Sequence, residues 1–371
     1  MRILICGGGT GGHVYPALAV VAELQRQGFS REQLLWVGTR GQMEEELVPR
    51  AGLNLETIPG GPIVGVPVWT TLMNGMKLAT GYLQAESILG RYRPDAILMT
   101  GGYVNVPVGL AARRRHIPMS IFLPDVEPGS AIRFISKLTD NVACTTDGSR
   151  QFLPESEVVV TGYPVRADVR AALELSKAEA LAQFDLAEGR RTLFVFGGSR
   201  GARTINRALN AILPELLADY QVIHISGTLD WAEVEQQAAA LPAGLQAYYR
   251  AYPYLHERMG AAFRAADLVL ARAGASMLGE GPAFGLPAVL VPYPYAWRYQ
   301  KVNADYLADR GAGIRLNDED MGEQLGHLLL NLLGDEKQLA TMSAAARALD
   351  IPDAPARIAQ VLVDLAGGKQ A

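Results

Sequence analysis

The plan of strand, glycine-rich turn and helix occurs twice in this chain. It runs through MRILICGGGTGGHVYPALAV (Met1–Val20) and again through RTLFVFGGSRGARTINRAL (Arg191–Leu209). A short buried strand that feeds a helix through a tight turn opens a β-α-β unit, and such units build parallel sheets covered on both faces. Two copies in 371 residues predict two doubly wound α/β domains. Apolar runs at Arg2–Cys6, Leu34–Val37, Ala96–Met99, Met119–Phe122, Val142–Cys144 and Val158–Val160 read as strands of the first. Val222–Ile225, Leu268–Leu270 and Ala288–Val291 read as strands of the second. The first helix is read over Pro16–Gln27, with Pro at its start, Leu18, Val21 and Leu24 on one face, and Gly28 as its stop. The junction falls within Tyr163–Arg190, where Ser176–Gly189 reads as a polar helical excursion. Open parallel sheets take ligands at the carboxyl ends of their strands, so two such domains are expected to face a cleft.

Glycine supplies 39 of the residues, about one in ten against a usual share of about 7%. Such an excess asks where the backbone turns tightly or approaches a ligand. The net charge of −4 excludes a general polyanion binder, so no nucleic-acid partner is expected. Cys6 and Cys144 stand alone in strand-like runs, with neither metal spacing nor a disulfide framework, and fit a reducing cytoplasm. No signal-peptide core precedes the first glycines, and no apolar run is long enough to span a bilayer.

Gly7-Gly8-Gly9-Thr10-Gly11-Gly12-His13 satisfies G-x-G-x-x-G at Gly7, Gly9 and Gly12. The acidic residue usual after the second strand of a dinucleotide site is missing, since Val37 leads to Gly38-Thr39-Arg40. The Lys-Ser/Thr of a phosphate-binding loop is missing too, which argues against nucleoside triphosphate hydrolysis. A ligand cradle and a structural turn both fit. His13 fits a general base, a contact to a substrate oxygen, or a structural imidazole. In the second turn, Ser199 caps the next helix or meets a phosphate, and Arg200 joins it or is solvated. In the third, Arg272–Glu280, Ser276 reads as a helix cap with Glu280 one turn inside, either solvated or accepting from two ribose hydroxyls; Pro282 shortens that helix. Gly101-Gly102-Tyr103 makes a fourth turn. Gly60–Leu72 is apolar, proline-broken and poorly helical, a loop against lipid or a packed one. Arg113-Arg114-Arg115-His116 is a solvated helix end or an attractor of lipid head groups or a diphosphate. Asp318-Glu319-Asp320 fits a metal-binding Asp-x-Asp pair, but its place before a helix points to capping.

Taken together, these pieces resemble the MurG family, the peptidoglycan glycosyltransferases that add N-acetylglucosamine (GlcNAc) to lipid I to make lipid II. The resemblance runs through Gly7–Val20, Val37–Thr39, Met43–Pro49, Pro94–Pro107, Gly162–Val169, Gly197–Asn206, Arg272–Pro294, Gln300 with Asn303, and Ile351–Ala359. It implies the GT-B architecture: two Rossmann-like α/β domains, doubly wound on parallel sheets and facing a cleft. Residues 1–163 would form the acceptor and membrane side, with the terminal helix in 351–371 packed back on it, and residues 164–350 would bind UDP-GlcNAc. On the donor side the resemblance implies Arg166, Ser199 and Arg200 at the diphosphate, Leu255 by the uracil, and Glu280 on the ribose. Ala275, Ser276 and Met277 line the third turn, and Gln300 and Asn303 lie near the sugar. On the acceptor side it implies Thr10, Gly11, Gly12, His13, Gly101, Gly102 and Tyr103 around the diphosphate and the reacting hydroxyl. The implied reaction inverts configuration without metal or cofactor. The implied partners are UDP-GlcNAc, a lipid-linked MurNAc-pentapeptide and, peripherally, the cytoplasmic face of the bacterial membrane.

The chain departs from the family over Phe122–Pro128, and also at Tyr299-Gln300, where the family often has paired Gln, and at Met277, where it has Thr or Leu. The family usually has His-Glu-Gln-Asn where this chain has Phe122-Leu123-Pro124-Asp125, which makes Asp125 a second candidate base beside His13. That departure keeps open a related glycosyltransferase with a UDP-sugar donor and another lipid-linked acceptor. A nicotinamide-dependent oxidoreductase using the first glycine turn is the reading from a different class.

Overall fold

The computed structural model describes residues 1–61, 68–154, 156–198, 201–294 and 299–368. The chain divides into two units, Met1–Arg166 with Ile351–Ala371, and Ala167–Asp350. The division falls after Arg166, so Arg166 lies in the first unit rather than with the residues of the second.

The first unit holds β1 (Ile3–Gly7), β2 (Leu34–Thr39), β3 (Asn54–Ile58), β4 (Ala96–Gly101), β5 (Met119–Leu123), β6 (Asn141–Cys144) and β7 (Val158–Val160). They form one sheet in the order β3-β2-β1-β4-β5-β6-β7, with every pairing parallel. Strands buried on both faces read as near-continuous apolar runs. β1, β4 and β5 are buried throughout, and their side chains meet helices above and below. Neighbours β1 and β4 lie where the winding reverses, and Gly7 stands opposite Gly101 there.

The second unit holds β8 (Thr192–Phe196), β9 (Gln221–Ile225), β10 (Tyr249–Tyr252), β11 (Leu268–Arg272), β12 (Ala288–Val291) and β13 (Gly313–Arg315). Their order is β10-β9-β8-β11-β12-β13, again all parallel. Here the winding reverses between β8 and β11, the strands that carry the second and third glycine turns.

Three local readings change. The first helix runs over Gly11–Arg26, so Pro16 lies inside it rather than at its start. The turn can begin early because His13 N and Val14 N both donate to Thr10 O, and Pro16 then forfeits one rung, to Gly12. Val68–Tyr92 is one long helix, so Val68–Leu72, read as poorly helical loop, is its first turn; residues 62–67 of that loop lie outside the described residues. Ser176–Gly189 contains the short helix Lys177–Ala182, closed by a reciprocal cap between Ser176 and Glu179.

The terminal helix Ala354–Ala366 packs on the first helix and on β4 and β5 in the first unit. Gly162 lets the chain pass there. Its φ is +86°, and a Cβ on it would stand 2.6 Å from Ile351 Cβ.

Candidate functional site

In the first unit, four backbone segments converge at the carboxyl ends of β1, β2, β4 and β5. The first glycine turn is tied to its neighbours. Gly8 N donates to Gly101 O at 3.2 Å, Thr100 Oγ1 to His13 O at 2.8 Å, and Trp36 Nε1 to Gly7 O at 2.9 Å. The buried Asn105 amide accepts from Gly101 N at 2.8 Å and donates to Cys6 O at 3.1 Å. Gly101 and Gly102 have φ of +120° and +94°. A Cβ on Gly101 would stand 2.5 Å from His13 Cδ2, and one on Gly102 2.6 Å from Gly8 O. Here glycine is required twice over, by conformation and by space.

His13 is half-buried, and its Nδ1 lies 3.1 Å from Gly8 O and 3.3 Å from Thr10 Oγ1. A carbonyl oxygen only accepts, so the neutral ring carries its hydrogen on Nδ1 and its lone pair on Nε2. Burial lowers the His13 pKa below its usual 6.5; the Gly8 bond and the negative charges of Asp125 and Glu44 oppose that fall. A ring held neutral with Nε2 unprotonated can accept a proton. Asp125 follows β5 and is half-buried, whereas Phe122, Leu123 and Pro124 are buried. Within Phe122–Asp125, only Asp125 offers a polar side chain. Thr10 and Gly12 are exposed, Gly11 is half-buried, and Tyr103 is 46% exposed. Arg166 lies over the Tyr15 ring of the first helix, 5.1 Å from guanidinium carbon to centroid.

Sequence reasoning gave no role to Glu44. Its carboxylate is fully buried and accepts from Gly9 N at 3.0 Å and Thr39 N at 2.7 Å. Glycines at positions 8 and 38 make room for it, since a Cβ on Gly38 would stand 2.6 Å from Glu44 Cγ. The available signal was an acidic residue opening a helix just past Gly38-Thr39, opposite a second glycine run. With both oxygens bound to backbone, Glu44 is not available to a ribose, which removes the one acidic group that a dinucleotide reading would need here.

In the second unit, the helix Arg203–Asp219 follows the second glycine turn with Ala202 as its cap residue. Ser199 and Arg200, expected at the diphosphate, lie outside the described residues. Gly201 (φ +83°) lies against the Ser226 carbonyl, where a Cβ would overlap it. After β11 a tight turn, Ala275–Leu278, precedes the short helix Glu280–Phe284, so Ser276 sits within that turn and does not cap the helix. Glu280 is the first helical residue rather than one turn inside, and it is 9% exposed. The helix ends at Gly285, left-handed at φ +61°. Ala275 and Ser276 are half-buried, while Met277 and Leu255 are buried core residues. Buried Asn303 donates to Ala273 O at 3.1 Å, and Gln300 Oε1 accepts from Tyr293 N at 2.8 Å. Both amides therefore brace loops at this edge.

The Asp-x-Asp segment is engaged otherwise. Asp318 pairs with Arg272 and accepts from Thr204 Oγ1 at 2.9 Å. Asp320 accepts from Asn317 Nδ2 at 2.9 Å and makes no side-chain cap to the helix Met321–Gly334. Among the basic residues near position 113, Arg114 and Arg115 reach Glu86 at 3.0 and 2.8 Å.

The glycosyltransferase family 28 N-terminal domain matches residues 3–144, and the glycosyltransferase family 28 C-terminal domain matches residues 192–358. A protein of Roseiflexus sp. (strain RS-1) is named UDP-N-acetylglucosamine--N-acetylmuramyl-(pentapeptide) pyrophosphoryl-undecaprenol N-acetylglucosamine transferase. This chain is 39% identical to it, over 98% of this chain and 95% of that one. A Bacillus subtilis (strain 168) protein of the same name is 35% identical over 98% and 99%. The crystal structure of Acinetobacter baumannii MurG superposes with a TM-score of 0.78 at 27% identity, over 98% of this chain and 99% of that one. A UDP-GlcNAc 2-epimerase from Neisseria meningitidis shares the fold, with a TM-score of 0.69 at 14% identity over 98% of this chain and all of that one.

Proposed function

The chain belongs to the MurG family of glycosyltransferase family 28, and on that premise we propose that it transfers GlcNAc from UDP-GlcNAc to the 4-hydroxyl of MurNAc in lipid I, giving lipid II. The observation that carries this reading is the His13 ring, anchored through Nδ1 on Gly8 O at the strand pair where the first sheet reverses. Nε2 takes the proton of the acceptor hydroxyl as it attacks the anomeric carbon from the face opposite UDP, so the configuration inverts. Asp125 supports the imidazolium that forms, or takes the proton itself. Thr10, Gly11, Gly12, Gly101, Gly102 and Tyr103 surround the acceptor diphosphate, where unpaired backbone N–H groups favour an anion.

On the donor side, the start of the helix Arg203–Asp219 and the turn holding Ser199 and Arg200 carry the charge that builds on the leaving diphosphate. This needs no bound metal. The Glu280 carboxylate accepts from the ribose hydroxyls. Leu255 flanks the uracil, Ala275, Ser276 and Met277 form the wall of that turn, and Gln300 and Asn303 set the loops around the sugar. The enzyme works at the cytoplasmic face of the membrane without spanning it.

A second reading keeps the donor and changes the lipid-linked acceptor. It is favoured by the burial of Phe122 and Leu123, which places apolar core where the family usually has polar side chains. The test is incubation of the purified protein with labelled UDP-GlcNAc and lipid I, beside His13→Ala. Labelled lipid II is expected. His13→Ala should lower turnover about a hundredfold or more while leaving UDP protection against heat unchanged. UDP binding without transfer to lipid I sinks the first reading and leaves the second.

A further inference from the structure

The peptide between Gly8 and Gly9 is held at both ends. Its carbonyl accepts from His13 Nδ1 at 3.1 Å. Its N–H donates to Glu44 Oε2 at 3.0 Å. The second carboxylate oxygen accepts from Thr39 N at 2.7 Å, which ties the turn after β1 to the turn after β2. Glu44 has no exposed surface, and two glycines give up their side chains to let it in.

We propose that Glu44 is a positioning residue for proton transfer at His13, acting through the Gly8–Gly9 peptide to keep the hydrogen on Nδ1 and the lone pair on Nε2. The inference rests on the reading of His13 as the base.

The physical case has three steps. The amide is planar, so fixing its N–H fixes the direction of its carbonyl. A carboxylate is a charge-assisted acceptor, and binding the N–H polarises the amide and strengthens its oxygen as an acceptor. Without that grip the peptide lies between two glycines, with Gly9 at φ +88°, and little opposes its rotation. With Gly8 O turned away, Nδ1 keeps only Thr10 Oγ1 at 3.3 Å. A hydroxyl donates as readily as it accepts, so both tautomers become available. A buried carboxylate is costly unless hydrogen-bonded, and this one satisfies itself on backbone groups of the two turns that frame the site.

Glu44 also acts on the ring by charge. It and Asp125 are the acidic groups that favour the imidazolium, against the burial that disfavours it. Glu44→Gln is nearly isosteric, but it removes the charge and turns an NH2 toward one of two backbone donors. It is expected to lower kcat about ten- to a thousandfold while leaving the KM for UDP-GlcNAc unchanged. The acidic limb of kcat/KM should move to lower pH, because one of the two charges that hold the proton on His13 is gone. A role in folding alone would lower yield and Tm without moving that limb.

A second measurement does not depend on the variant's activity. In the full chain labelled with 15N-histidine, the His13 signal is identified among five histidines by its loss in His13→Gln. At pH above its titration the ring should carry its hydrogen on Nδ1 in the wild type, and Glu44→Gln should show a mixture. Hydrogen on Nε2 in the wild type overturns the proposal. So does an unchanged kcat and pH limb in Glu44→Gln when His13→Ala is inactive. If His13→Ala keeps full turnover, the base assignment has failed instead, which is a separate result.

Discussion

The His13 ring has its place only because Gly101 has no side chain. The ring lies against the Gly101 Cα, in a gap that a single methyl would close. Two constraints meet at that position: φ is +120°, and the backbone N–H is committed to Asn105. Gly101→Ala therefore has to change the backbone, the imidazole, or both. Strain of this kind costs on the order of 1–3 kcal/mol. The larger effect should fall on chemistry, since a displaced ring loses its approach to the acceptor hydroxyl. The expected outcome is loss of about a hundredfold or more in turnover, with UDP still protecting the second unit against heat. Turnover within about twofold of wild type would mean that the ring position does not matter. His13 and Gly101 were readable as candidates from sequence because histidine and glycine carry their meaning in their identity. Glu44 was not, because its role comes from the backbone groups it meets, and those are set by the pairing of β1 with β2.

Among the elements, the strands that lie inside each sheet were legible and those at its edges largely were not. β1, β4, β5, β8, β11 and β12 are apolar runs because helices cover both faces. Asn54–Ile58, Tyr249–Tyr252 and Gly313–Arg315 escaped the reading. They are sheet edges, where half-burial admits Asn, Glu and Arg and blurs the pattern. Polar residues can also hide inside an element. Tyr249 OH lies 2.7 Å from His224 Nδ1, and His224 Nε2 lies 3.0 Å from Asn206 Oδ1. Asn206 Nδ2 donates to Asp230, which pairs with Arg203 at 2.8 Å. This buried chain joins β10 and β9 to the start of the helix Arg203–Asp219. Burial pushes the His224 pKa from 6.5 down to about 3. Below about pH 6.5 the unfolded chain takes up a proton that the folded one refuses, so stability falls as pH falls. At pH 5 the loss from this one group is about 2 kcal/mol, at 1.36 kcal/mol per unit. The second unit should thus lose Tm between pH 7 and pH 5 more steeply in the wild type than in His224→Gln. The comparison is of slopes, because the variant also breaks hydrogen bonds and starts lower. Parallel slopes would show that His224 does not titrate as its burial requires.

At the scale of the whole molecule, a net charge of −4 gives no general attraction to an anionic membrane, and no described helix is long and apolar enough to cross one. The proposed association with a lipid-linked acceptor then calls for a local surface. Trp69, Met73, Met76 and Leu83 are 73%, 42%, 55% and 68% exposed. Their spacing of four, three and seven residues puts them on one stripe of the helix Val68–Tyr92. Single exposed apolar side chains are ordinary, but four on one helix face point to a surface that meets something apolar. Arg114 and Arg115 of the basic cluster pair with Glu86 on the same helix, which offsets part of the cluster's charge. Lipid binding here should therefore depend more on the apolar stripe than on the cations. Burying a large apolar side chain is worth about 1.5–3 kcal/mol. Trp69→Glu combined with Met76→Glu should accordingly cut co-sedimentation with vesicles of zwitterionic and anionic phospholipid by at least about tenfold. Arg113→Ala should cut it less, and neither should alter UDP binding. If the arginine variant loses more than the double glutamate variant, or if vesicle binding survives both, the stripe is not the membrane face.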